Sequence, residues 1–221
     1  MTPEHLLFIP AVFLIGFASG VTLPAYAARF RKNGAMPPNP THKTSLQWAS
    51  GRVVLIALLA FFVMFLATHH FEIPYSKVSI EEITGGLPLF DQSPSFSSDE
   101  VYERLSEFGH EASEVYKRFT YTTDVVFPLS MLILLTTFAA YVIEKAQLNS
   151  RFRYYIMLVP AIWFVSDMIE NLMVFTLLAQ YPRPANVIGG MVGYVTVLKF
   201  ALLLTSALLP VVVFGASRKR T

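Results

Sequence analysis

Three polar residues inside an apolar run raise the chemical question. In WFVSDMIENLMVF, residues 163–175, Asp167, Glu170 and Asn171 stand at i, i+3 and i+4, a spacing that puts them on one face of a helix. Carboxylates placed this way could share protons, pair with a buried cation or bind a neighbouring helix. An ionisable group inside a membrane span costs roughly 2.5–3.5 kcal/mol on insertion scales, so a counter-group is required. Lys199 in VLKF is the candidate cation, and Asp124 in TTDVVFP is a third acid. Tyr121 lies three residues before Asp124, and Tyr194 precedes Lys199 in the same stretch. Both are counted with the cluster.

A rise of about 1.5 Å per residue sets the depths. Asp124 falls about 8 Å from the outer end of its span, Glu170 and Asn171 about 14 Å, and Lys199 about 16 Å. Three helices can therefore present these groups to one interior. With three carboxylates and one ammonium, at least one acid must hold a proton or pair elsewhere, because burial and like charge both favour the neutral form. Three uses remain open: a hydrogen-bonded fastening between helices, a pocket for a lipid-like or small polar molecule, and an ion path. The inner halves of the spans offer few polar residues to continue such a path.

Other chemistries find little support. There is no cysteine, which excludes disulfides, thiolate catalysis and Cys-ligated metals. His69 and His70 are adjacent and point to different sides of a helix, and neither stands in a His-x3-His or Glu-x2-His spacing, so no metal site is expected. No G-x-S-x-G and no phosphate-binding loop is present. GGMVG at 189–193 reads as a small-residue packing patch. No cofactor can be assigned, and the net charge of +2 gives no reason to expect a nucleic-acid partner.

The elements that must position the cluster are membrane helices. The chain has 221 residues, 54% hydrophobic and 14% charged, with mean hydropathy +0.51, against roughly 25% charged in soluble domains. Several uncharged runs reach the ~20 residues that cross a bilayer. Five spans are predicted: Leu6–Ala28, Arg52–Phe71, Phe119–Ile143, Tyr154–Gln180 and Ile188–Ala216. LPAYAARF carries an A-x-A pattern, but MTPEHLL lacks a positive leader region, so the first segment is expected to be a retained span. The organisation expected is an N-terminal span over 1–32, a Pro-rich linker over 33–47, and a four-span unit over 48–217.

Charge orients the spans. The loop 29–52 holds five Lys/Arg and no acid, the connector 144–153 three Lys/Arg and one Glu, and the tail SRKRT three more; segment 72–118 holds ten acids against four Lys/Arg. The positive-inside rule then places the N-terminus outside and the C-terminus in the cytoplasm. Segment 72–118 is too long for a plain connection. Its first half is expected to be irregular. Its second half carries a capping box at Ser97 and Glu100 and an apolar stripe at Val101, Leu105 and Phe108, with Gly109 breaking or kinking the helix. The fold class is all-α: a five-span bundle with an extracytoplasmic amphipathic helical cap.

The run FSSDEVYERLSEFGHEASEVYKRFTYTTDVVFP, followed by SDMIEN and VLKF, resembles a group of small bacterial integral membrane proteins with four spans. Their pattern is an outer amphipathic stretch ending in Gly, then D-x-x-x-P, D-x-x-E-N and Lys-containing spans. Gly109, Tyr116, Asp124, Pro128, Asp167, Glu170, Asn171 and Lys199 match it. GHE stands here where the group has Gly-x-Arg, so no basic role transfers to that position. The resemblance covers roughly residues 87 to 215. It implies an architecture and a bacterial cytoplasmic membrane, without an activity. The reading carried forward is a non-enzymatic accessory or structural subunit of a larger membrane complex, in contact with lipid and with protein partners. The alternative is a membrane enzyme, or a lipid- or small-molecule-binding protein, using the buried Asp/Glu/Lys cluster.

Overall fold

The computed structural model describes residues 49–148 and 150–218. The predicted span Leu6–Ala28 and the linker 33–47 lie outside the described residues. Six helices follow in order: α1 Gly51–His69, α2 Lys77–Thr84, α3 Ser98–Tyr121, α4 Thr123–Ala146, α5 Ser150–Gln180 and α6 Asn186–Arg218. No strand occurs among the described residues. Helices α1, α4, α5 and α6 carry stretches long and apolar enough to cross a membrane. They match four of the predicted spans, with ends moved by a few residues.

Burial separates central helices from peripheral ones. Half of the most apolar window of α5 is buried, against 11% for α1 and 17% for α6. α5 touches α3, α4 and α6, α4 touches α1, α3, α5 and α6, and α1 packs chiefly on α4. The rings of Phe61, Phe65 and His69 gather around Phe127 of α4, at centroid distances of 5.6, 6.2 and 4.6 Å. Leu55, Ile56, Leu59, Phe62 and Val63 of α1 stay exposed, an all-round apolar helix suited to hydrocarbon. Between the spans, Leu132, Leu135, Trp163 and Phe164 form one core layer; Ala139, Ile143 and Ile156 form another nearer the α4–α5 turn.

The segment between α1 and α4 is a folded cap. Its first half, expected to be irregular, contains α2. Ser76 caps that helix by accepting from the Ser79 amide at 3.2 Å, and Gly85 ends it in the left-handed conformation at φ 68°, the position where glycine carries no steric penalty. In α3, Ser97 accepts from the Glu100 amide at 3.2 Å, and Glu100 reaches back to the Phe96 amide at 3.0 Å. The expected capping box thus closes one residue earlier than the standard form. Gly109, with φ 69° and ψ 177°, kinks α3.

The cap shares an apolar core with α5 and α6. Ile80, Leu89, Phe90, Val101, Leu105, Phe108, Ala112, Tyr116 and Phe119 pack with Val174, Leu177 and Leu178 of α5 and Val192 of α6. Polar ties hold it in place. The Arg104 guanidinium lies 4.4 Å from the Phe90 ring centre and donates to the carbonyls of Pro88, Leu89 and Ser93. The Tyr116 hydroxyl accepts from the Phe90 amide at 2.9 Å. Tyr102 grips the α5–α6 turn, donating to the Arg183 carbonyl and accepting from the Ala185 amide. GGMVG does pack closely, but against the cap: a Cβ on Gly193 would stand 2.2 Å from the Ser95 carbonyl oxygen.

Candidate functional site

Two knots hold the polar residues of α4, α5 and α6 together. The first begins with Pro128. Proline has no amide hydrogen, so the carbonyl four residues earlier, that of Asp124, is left without its helical donor. Asn171 of α5 supplies one: its Nδ2 donates to the Asp124 carbonyl oxygen at 2.8 Å. This is how a membrane helix tolerates an internal proline, through a donor from a neighbour. The Asp124 side chain sits in the first turn of α4, where exposed amides favour a carboxylate.

The second knot joins α5 to α6. Asp167 and Glu170 project from adjacent turns of α5 onto one face. Val192, Thr196 and Lys199 face them from α6 at i, i+4 and i+7, all buried. Lys199 Nζ lies 3.2 Å from Asp167 Oδ1 and contacts Glu170 Oε2. Thr196 Oγ1 lies against Glu170 Oε1 and 3.0 Å from the Val192 carbonyl oxygen. Relative exposure is 4% for Asp167, 1% for Glu170 and 7% for Lys199. Glu170 is about ten residues, or about 15 Å, from the end of α5, so the triad lies deep along the span.

The expected cluster therefore divides. Asp167, Glu170 and Lys199 meet; Asn171 and Asp124 meet through a backbone carbonyl. Asp124 makes no ion pair with Lys199. The tyrosines depart from expectation. Tyr194 is 62% exposed and packs edge-on against Phe96, at 5.2 Å. It precedes Lys199 by five residues, about 140° around a helix of 3.6 residues per turn, so it faces away from the triad. Tyr121 shares no helix with Asp124, because the chain breaks at Thr122 (φ −117°, ψ −90°) between α3 and α4. Its ring meets Phe175 at 5.9 Å.

Three participants went unread in the sequence. Thr196 lies one turn from Lys199, a spacing that could have found it. Trp163, one turn before Asp167, has its indole Nε1 buried without a hydrogen-bond partner, as has Asp167 at Oδ2. Asp91 belongs to the cap loop. Its Oδ1 is buried without a hydrogen-bond partner, and it lies within electrostatic reach of Tyr116, Asp124, Asp167 and Lys199. No signal in a loop of Pro, Gly and Ser marks that position. Among the described residues no three His, Asp or Glu side chains are grouped to hold a metal ion.

The geometry defines a helical membrane protein with a charged triad inside its bundle and a folded cap beside it. No family model, curated protein or solved structure matches the chain.

Proposed function

We propose that this chain is a non-enzymatic accessory or structural subunit of a larger complex in a bacterial cytoplasmic membrane. The observation that carries the reading is the mutual engagement of the buried charges: Lys199 is taken up by Asp167 and Glu170, and all three are less than a tenth exposed. Such a triad fastens α5 to α6 and presents little to a substrate. Breaking a buried pair by removing one partner costs about 3–5 kcal/mol, which gives a purely structural reason for these residues. The exposed apolar sides of α1 and α6 leave ample surface for lipid and for neighbouring subunits. The acidic cap is placed outside, and the basic 144–153 connector and C-terminal tail in the cytoplasm, by the positive-inside rule. The bacterial setting rests on the resemblance of the D-x-x-x-P, D-x-x-E-N and Lys-containing spans.

A second reading has one observation in its favour. Trp163 Nε1 and Asp167 Oδ2 are buried one turn apart without hydrogen-bond partners, and a small polar molecule could engage both. The chain would then be a lipid- or small-molecule-binding protein or a membrane enzyme. Purification from native membranes in mild detergent, followed by mass spectrometry, separates the two. Protein partners at fixed stoichiometry are the expected result; a lone chain carrying a defined small molecule would replace the first reading by the second.

A further inference from the structure

The start of α1 and the end of α4 leave a cavity between them, at the opposite end of the spans from the cap. The two helices run antiparallel. Phe127 near the start of α4 meets His69 at the end of α1, with ring centres 4.6 Å apart, and Gly51 faces Tyr141 at the other end. The cavity has a volume of about 480 Å³ and is lined by Ser50 and Gly51 together with Tyr141, Glu144, Lys145 and Gln147. Small-molecule sites have volumes of roughly 300–1,000 Å³. Gly51 contributes to the room by lacking a side chain: a Cβ there would stand 3.8 Å from the Tyr141 ring.

The lining suits an anion. Lys145 is exposed, its ammonium lies 5.7 Å from the Tyr141 ring centre, and it has no ion-pair partner among the described residues. Glu144, the acid of the lining, is already engaged by Arg153 at 3.5 Å. Ser50 Oγ accepts from the Val53 amide, so its own hydrogen remains to donate. Arg52, the residue after Gly51, is a further exposed cation. Position points to the source of the anion. α1 has 19 residues, about 28 Å of helix against a hydrocarbon core of about 30 Å, so the cavity lies at headgroup depth when α1 spans. Leu55, one turn along α1 from Gly51 on the same face, is 55% exposed and offers an acyl chain an apolar wall. We propose that this cavity binds the headgroup of an anionic phospholipid, with Lys145 on the phosphate. The site goes beyond the role proposed above and does not depend on it.

The test uses the full chain in nanodiscs of phosphatidylcholine, alone or mixed with phosphatidylglycerol. Mass spectrometry of the chain released from mixed discs counts the lipid it retains, and thermal melting reads stability in both discs. The expected result is retention of phosphatidylglycerol over phosphatidylcholine and a higher melting temperature in the mixed discs. Lys145→Gln should lower that preference about fivefold. Gly51→Leu keeps every charge but fills the cavity, and should lower it as far. Arg118→Gln removes a charge at the cap end of the spans and should leave it unchanged. Equal retention of the two lipids by the wild type overturns the proposal. So does a preference that survives Gly51→Leu, or one that falls as far in Arg118→Gln, because either is diffuse attraction of charge. Inorganic phosphate that stabilises the protein in phosphatidylcholine discs as far as phosphatidylglycerol does would overturn the lipid assignment.

Discussion

Asn171 on α5 completes a hydrogen bond that α4 cannot make for itself, donating to the Asp124 carbonyl at 2.8 Å where Pro128 offers no amide. The Asp and Pro of one span and the Asn of the next thus form a single device, with the Asp contributing its backbone. Asn171→Leu should strand the carbonyl and cost about 1–3 kcal/mol. Pro128→Ala restores the missing amide, so the double variant should lose less than Asn171→Leu alone. Thermal melts of the four proteins decide it; strict additivity would separate the two residues.

Lys199 is held between two acids, so removing it should be worse than removing the pair. Lys199→Met leaves a buried carboxylate without its cation, an effect of about 3–5 kcal/mol. Adding Asp167→Asn should recover part of the loss in the same melting assay. Equal losses for the single and double variants would mean that the contact contributes nothing to stability.

The glycines of α6 make a graded series against the cap. A Cβ at position 190 would meet nothing within 4 Å, one at 189 would meet Ser98 at 3.2 Å, and one at 193 would meet the Ser95 backbone at 2.2 Å. Gly190→Ala should be close to neutral, Gly189→Ala mildly destabilising, and Gly193→Ala worse by about 1–3 kcal/mol through overpacking. Hydrogen exchange should quicken in residues 93–97 of Gly193→Ala and stay unchanged in Gly190→Ala.

Gly109 tests backbone strain without sterics. Its φ of 69° lies in the region that L residues avoid, yet its missing Cβ faces open space. With ψ at 177° the backbone lies in a region open essentially to glycine alone, so Gly109→Ala should cost about 1–3 kcal/mol from the backbone alone. A melting temperature equal to that of the wild type would show that the kink relaxes freely.

Four of the spans were legible from their apolar length, and the triad because charge inside an apolar run is itself a signal. Asp167, Glu170 and Lys199 could be matched by depth before any fold was known. Depth does not give azimuth, and Tyr194 was misplaced for that reason. A helix break cannot be read from spacing either, so Tyr121 was put on the wrong element. Helix α2 was hidden by its brevity among Pro, Gly and Ser, although Ser76 and Gly85 are ordinary start and stop residues. Asp91 reaches the cluster only through the cap's tertiary fold, which no local pattern encodes.

The shared core of the cap sets an order of assembly. Val101, Leu105 and Tyr116 are packed partly by Val174 and Leu177 of α5 and by Val192 of α6. The ribosome makes Val192 about seventy residues after α3 is complete, which is several seconds at about 5–20 residues per second. Through that interval the cap has its helices but not its floor. Biogenesis of this protein therefore includes a waiting period in which the apolar stripe of α3 lacks its final cover, and arrest before α6 would leave a nascent chain that quality-control proteases and chaperones can recognise.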